Sequence, residues 1–143
     1  DDDLVPVEVV QVKGAKILDL RDNVRFLGSL DAAEMRERYL RSHVFVSAST
    51  IENSPNSVGE SMLLGCPVVS SNVGGVADML AHGKEGFLYQ SSAPYMLAWY
   101  VSRLFDDDAL AERFSRASRE RAERTHDRAI NLNALIDIYE SIA

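Results

Sequence analysis

Apolar positions along this chain fall into short runs parted by polar, turn-forming segments, and their period changes partway. The valines of Leu4 to Val12 suggest a first strand despite Pro6, and Ala15 to Leu20 reads as the end of a helix closed by Arg21, Asp22 and Asn23. Val24–Gly28 reads as a short strand ending in a turn. Asp31, with Glu34 three residues on, is a capping box for a helix whose inward stripe is Met35, Tyr39 and Leu40. His43–Ser47 is the next strand, followed by a polar loop and a helix from Ser57 to Leu64. Pro67–Ser71 reads as a buried strand, Val76–Ala81 as a short helix, 82–86 as a turn and Phe87–Tyr89 as the last strand.

Beyond Tyr89 the pattern is helical. Pro94 suits a first helical turn, with Leu97, Val101 and Leu104 on one face. Asp106–Asp108 cap a second helix carrying Leu110, Phe114 and Ala117. Asp127 caps a third, with Ile130, Ala134, Ile138 and Ile142 every fourth residue. Strands alternating with helices predict an α/β fold with a Rossmann-like parallel sheet, flanking helices and a helical C-terminal tail. No repeat, linker or second domain interrupts the 143 residues.

Composition narrows the function classes. The apolar share of 46% suits a folded chain with one core, and the formal charge of −7 argues against a nucleic-acid partner, which requires a clustered basic face. Cys66 is the single cysteine, which excludes an internal disulfide framework and a four-thiolate metal site. No apolar run reaches the roughly 20 residues of a membrane span, and the acidic start, Asp1 to Asp3, is unlike a signal peptide, so a cytoplasmic location is expected. His43, His82 and His126 lie far apart in sequence, and the mixed charges of Arg113 to Arg128 read as a solvated face. Trp99 and Tyr100 read as core packing rather than a stacking platform.

Candidate chemistry concentrates between Ser49 and Pro67. Glu52 and Glu60 stand eight residues apart across a loop of Ser, Asn and Pro that joins a strand to a helix. The amides of Asn56, Ser57 and Val58 fall at that helix's start, where unpaired N–H groups and the helix dipole favour phosphate. Each feature has a plainer reading: Ser57-x-x-Glu60 is itself a capping box, Glu52 could be a solvated loop acid, and the amides could belong to an ordinary connection. Gly74 and Gly75 form a second strand-to-helix loop with Asn72 and Val73, either a ligand loop or simply a turn.

Five motifs in order carry a resemblance: Asn-Val-Arg-Phe-Leu-Gly (23–28), Phe-Val-Ser-Ala-Ser-x-x-Glu (45–52), Glu-x7-Glu (52–60), Gly-Cys-Pro-Val-Val-Ser-Ser-x-Val-Gly-Gly (65–75) and His-Gly-x-x-Gly-Phe-Leu-Tyr (82–89). Together they resemble the C-terminal, nucleotide-sugar-binding domain of retaining GT-B glycosyltransferases of group 1, many of them enzymes of bacterial polysaccharide synthesis. The closing Ile-Asp-Ile-Tyr-Glu-Ser-Ile (136–142) is similar to that family's last helix. The resemblance implies transfer of a sugar from a nucleoside-diphosphate sugar to an acceptor hydroxyl, with no essential metal and no cofactor beyond the donor. It implies that Glu52 is the catalytic residue and faces the donor sugar, and that Glu60 binds the ribose hydroxyls. Asn56 and Ser57 would approach the diphosphate, the loop of Val73, Gly74 and Gly75 would line the cleft, and Ser49 and Val58 would complete the donor site.

Departures from the family pattern are specific. Ser54-Pro55 stands where Phe-Gly is usual, so one amide is lost at Pro55; Ala48 replaces a Pro and Ser61 an Ala. Neither the family's N-terminal domain nor its first C-terminal βαβ unit, with the Arg/Lys pair that neutralises the diphosphate, is recognised here. Residues 1–143 are therefore expected to be a partial C-terminal domain, inactive alone and prone to self-association through unpaired strand edges; the full enzyme would be cytoplasmic or peripheral to the inner membrane. A non-catalytic binding or regulatory module of the same fold is the alternative, and an epimerase of that fold a third reading.

Overall fold

The computed structural model describes residues 6–10 and 22–142. The helix end expected at Ala15 to Leu20 lies outside the described residues. The described residues form, in order, β1 (Val7–Val10), β2 (Val24–Gly28), α1 (Ala32–Arg41), β3 (Phe45–Ser47), α2 (Asn56–Leu63), β4 (Val68–Ser71), α3 (Val76–Met79), β5 (Gly86–Tyr89), α4 (Pro94–Asp106), α5 (Asp108–Thr125) and α6 (Arg128–Ser141), with strands and helices alternating from β2 to α4. Among the described residues every strand pairing is parallel, as expected of strands joined through helices.

Local chemistry explains most boundaries. The capping box at α1 is formed in both directions: the Glu34 amide donates to Asp31 Oδ1 at 2.9 Å, and the Asp31 amide donates to Glu34 Oε2 at 2.9 Å. Pro94 opens α4, Asp107 accepts from the Leu110 amide at 2.9 Å to start α5, and Asp127 accepts from the Ile130 amide at 2.8 Å to start α6. α3 stops at Met79 because Leu80 is extended, two residues before the expected end. β3 is also shorter than expected. His43 precedes it and places Nε2 2.8 Å from the Leu104 carbonyl oxygen, with its ring stacked 4.5 Å from that of Phe105.

The chain divides into two compact units, Asp1–Arg38 and Tyr39–Ala143. In the first, β1 and β2 pair with Val7 opposite Val24 and a register shift between Val9 and Val10, and Arg38 forms a 3.0 Å ion pair with Glu8. In the second, the sheet order is β3-β4-β5. The central strand β4 is buried at every residue, and its alternation sends neighbouring valines to opposite cores. Val68 joins Val58 and Met62 of α2, Val76, Leu80 and Ala122. Val69 joins Phe87, Tyr89, Tyr100, Leu104, Leu110, Ala111 and Phe114. There Phe87 stacks on Tyr100 at 4.3 Å and meets Phe114 edge-on at 4.8 Å.

Three expected inward faces are corrected. Leu40 is exposed, because the turn of α1 that points inward is occupied by Tyr39. Trp99 is exposed too, its ring covered on one face by the Arg103 guanidinium at 5.2 Å, so only Tyr100 of that pair is core. The stripe Ile130, Ile138 and Ile142 is solvent-exposed, and α6 has no buried residue.

Candidate functional site

The loop after β3 is built from the sheet outward. Ser71 ends β4 with a fully buried side chain, in a strand where a polar hydroxyl needs a partner. It donates to the carbonyl oxygen of Ser49 at 2.6 Å, two residues beyond the end of β3. The Ser49 hydroxyl in turn donates to Glu52 Oε1 at 2.7 Å, the short distance expected of a hydrogen bond to a carboxylate. Glu52 is thus half-buried and tied to the sheet, and the solvated-loop reading does not describe it.

The second loop packs against the first. Gly74 has φ +53°, and a Cβ there would fall 1.7 Å from the Glu52 carbonyl oxygen; a Cβ on Gly75 would fall 2.5 Å from that of Asn53. The Gly75 amide donates to the Asn53 carbonyl at 2.5 Å, and the Val73 amide donates to Ser71 at 3.1 Å. The paired glycines therefore serve first to let two backbones touch. Ser49, Glu52 and the loop of Val73 to Gly75 form one cluster at the C-terminal ends of β3 and β4, the edge where open parallel sheets bind ligands.

Glu60 is held separately. α2 begins at Asn56 with Pro55 as its N-cap and no side-chain cap bond, so Ser57 lies inside the helix and the Ser57–Glu60 capping box does not form. The exposed carboxylate of Glu60 instead accepts a long hydrogen bond, 3.4 Å, from the hydroxyl of Tyr39 on α1. Tyr39 is buried and packs edge-on against Phe45 at 5.5 Å. Burial first, then the charge and hydrogen bond of Glu60, push its hydroxyl well above the ordinary tyrosine range, so it stays a neutral donor.

Of the three candidate amides, Val58 donates to the Pro55 carbonyl at 3.1 Å, and its side chain is fully buried. Asn56 and Ser57 keep the first two amides of the helix, the positions where a backbone N–H has no intrahelical acceptor. Tyr39 and Ser71 are the residues that sequence reasoning missed. Tyr39 reads as plain core from its period; Ser71 had a signal, a serine in a strand buried on both faces.

Histidine and cysteine have structural positions. His82 Nδ1 accepts from the Leu88 amide at 3.0 Å, and a Cβ on Gly59 would lie 2.6 Å from His126 Nε2. Cys66 is buried, and burial pushes its thiol up to about 12, opposed weakly by a backbone hydrogen bond from Phe45. Among the described residues, no group of three or more His, Cys, Asp or Glu side chains could hold a metal ion, and no helix is long and apolar enough to cross a membrane.

The sequence model of glycosyl transferases group 1 matches residues 11–121. A D-inositol 3-phosphate glycosyltransferase of Streptomyces avermitilis is 32% identical over 111 residues, 78% of this chain and 24% of that protein. A glycogen synthase of Mycobacterium tuberculosis is 30% identical over 115 residues, 80% of this chain and 28% of that protein. The chain spans about a quarter of the length of the curated relatives it matches. Among solved structures, sucrose-phosphate synthase from Thermosynechococcus elongatus matches with a TM-score of 0.78 at 26% identity, over 85% of this chain and 30% of that one. Anabaena HepE, solved in complex with UDP-glucose, matches with a TM-score of 0.75 at 23% identity, over 87% and 34% of the two chains.

Proposed function

This chain belongs to the glycosyl transferases group 1 family and has the α/β fold of GT-B glycosyltransferases, and from that premise we propose that it is the donor-binding part of an enzyme moving a sugar from a nucleoside-diphosphate sugar to an acceptor hydroxyl with retention. One observation carries the reading furthest: each acid of the Glu-x7-Glu loop has one carboxylate oxygen held by a hydroxyl of this chain, Glu52 by Ser49 and Glu60 by Tyr39. Carboxylates accept and do not donate, so acids oriented in advance suit a ligand rich in hydroxyls and spare the cost of ordering them on binding.

Glu52 faces the donor sugar and Glu60 the ribose hydroxyls. The amides of Asn56 and Ser57 meet the diphosphate at the start of α2, where the helix dipole favours negative charge. Pro55 has no N–H and Val58 has spent its own, so this end of the site offers two amides rather than four. Val73 to Gly75 line the cleft chiefly by shape. Catalysis then rests on donor positioning and on stabilising the leaving diphosphate. We assign residues 1–143 to part of the C-terminal domain and expect transfer to require an N-terminal domain for the acceptor. Bacterial polysaccharide synthesis fits as the setting, since a Staphylococcus aureus capsular polysaccharide glycosyltransferase is among the relatives.

Calorimetric titration with UDP, GDP, ADP and their glucose conjugates tests the reading. At least one nucleotide should bind; Glu60→Gln should weaken nucleotide and nucleotide sugar alike, and Glu52→Gln only the nucleotide sugar. Absence of binding by every nucleotide, or variants that bind as wild type does, would overturn it.

A further inference from the structure

We propose that Ser71 and Ser49 are positioning residues for Glu52, acting as a two-step hydroxyl chain that carries the rigidity of the central strand to the carboxylate facing the donor sugar. The proposal rests on the donor-site reading and adds to it the residues that set the aim of Glu52. Ser49 thereby changes role, from a residue expected to bind the donor to one that holds another residue.

Three observations converge. Ser71 is fully buried at the end of β4, where the three residues before it are two valines and a serine that bonds locally to the Ser71 carbonyl at 3.2 Å. A buried strand position favours an apolar β-branched residue, so a hydroxyl there is retained against its desolvation cost only by a partner. Its partner is the backbone of Ser49 at 2.6 Å, outside any strand ladder, where no sheet hydrogen bond fixes the chain. The Ser49 side chain then reaches Glu52 Oε1 at 2.7 Å.

The backbone of Glu52 is also packed closely against Gly74. The main chain of Glu52 is therefore held by the glycine loop and one carboxylate oxygen by Ser49. Among the described residues the hydroxyl donor to Glu52 reaches Oε1 and not Oε2, which leaves Oε2 able to accept from a ligand hydroxyl. A glutamate with three side-chain torsions would otherwise lose much of its rotamer freedom on binding, and orienting it in advance removes that cost. A hydroxyl bonded to a charged acceptor is stronger than a neutral pair, so breaking the last link should be readable.

The test uses the 143-residue chain with 13C-labelled glutamate side-chain carboxyls, the Glu52 signal being identified by its loss in Glu52→Gln. Ser49→Ala and Ser71→Ala should both move the Glu52 signal and leave that of Glu60 in place, and Ser49→Thr, which keeps the hydroxyl, should restore it. In parallel, Ser49→Ala should weaken UDP-glucose binding about tenfold while changing UDP binding less than twofold. A Glu52 signal unmoved in Ser49→Ala, or equal losses for UDP and UDP-glucose, would overturn the proposal. If wild type binds neither probe, the donor-site reading fails on its own, and the carboxyl signals still decide whether the hydroxyl chain holds Glu52. Ser49→Ala, at a half-buried loop position, keeps the test valid should Ser71→Ala fail to fold.

Discussion

The Cβ that Gly74 lacks would lie 1.7 Å from the carbonyl oxygen of Glu52. No side-chain rotation relieves such an overlap, because the backbone fixes where a Cβ lies and the oxygen is itself backbone, and φ +53° adds strain for any L residue. Gly74→Ala should therefore destabilise the fold by about 2–4 kcal/mol, or push the 72–75 loop off the loop of Glu52. Urea denaturation measures the first and the Glu52 carboxyl signal the second. Gly83 makes the control: its φ is +76°, but a Cβ there meets nothing within 4 Å, so Gly83→Ala should cost only the strain, about 1 kcal/mol. Equal costs at the two positions would show that the loop contact is not tight.

Glu60 gives a contrast between a local motif and the bond that forms. Ser57 offers the spacing of a cap, yet the helix starts one residue earlier and uses no side-chain cap. Ser57→Ala should change stability by less than about 0.5 kcal/mol, whereas Tyr39→Phe, which removes the donor to Glu60, should cost about 1 kcal/mol. A loss of about 1 kcal/mol or more in Ser57→Ala, the usual value of an N-cap, would restore the capping-box reading.

The difference between those two residues shows how much was legible in the sequence. Elements and their order came from periodicity and caps: Asp31 with Glu34 and Asp127 cap as read, and Asp107 is the capping residue within the Asp106–Asp108 run, because each partner lies three residues away. The loop of Glu52 was legible as the connection between a strand and a helix, since β3, a polar stretch and α2 follow in order. Tyr39 with Glu60 and Ser71 with Ser49 join residues about twenty apart, and such pairs depend on which helix and strand lie side by side. Glu85 was read as part of a turn for the same reason. It is buried, accepts from the Ala81 amide at 2.8 Å, and lies 3.6 Å from Arg121 of α5, thirty-six residues on.

Glu85 and Arg121 yield a further prediction. A carboxylate buried beside a guanidinium has lost its water, and removing it leaves Arg121 partly buried without that counterion, still donating to the Asp78 carbonyl at 2.7 Å. Glu85→Ala should cost about 3 kcal/mol, much of it from the charge left behind. Arg121→Met with Glu85→Leu should recover part of that loss, and a double variant no more stable than Glu85→Ala would argue against a charge left without its counterion. Thermal unfolding of the wild type and the two variants makes the comparison.

Cys66 gives a pH dependence with a defined sign. Burial raises the folded-state thiol to about 12, against an ordinary value of 9.0 in the unfolded chain. The folded state therefore keeps its proton where the unfolded state releases one, and stability falls as pH rises. The contribution is complete below pH 9 and is lost between 9 and about 12. Tyr39, whose hydroxyl is also raised, loses its contribution in the same direction above pH 10. Urea midpoints measured from pH 7 to 11 should decline beyond pH 9, and the decline should start later in Cys66→Ala. A Cys66→Ala curve parallel to wild type would show that the thiol ionises freely in the folded state.

The last prediction concerns α6, where period and burial part company. Ile130, Ala134, Ile138 and Ile142 recur every fourth residue, the pattern of a helix with a covered face, but Leu132, Leu135, Ile136 and Tyr139 are also exposed, so apolar side chains lie around most of the helix. None of them is buried, whereas Phe114 of α5 is fully buried among Phe87, Tyr100 and Leu104. Ile138→Asp should therefore leave the unfolding free energy of this chain within about 0.5 kcal/mol, because it uncovers no apolar surface that folding had removed from water. Phe114→Ala should cost about 3–5 kcal/mol through lost burial and a cavity. Denaturant unfolding of the two variants at equal concentration makes the comparison, and an Ile138→Asp loss approaching that of Phe114→Ala would show that α6 is covered in solution.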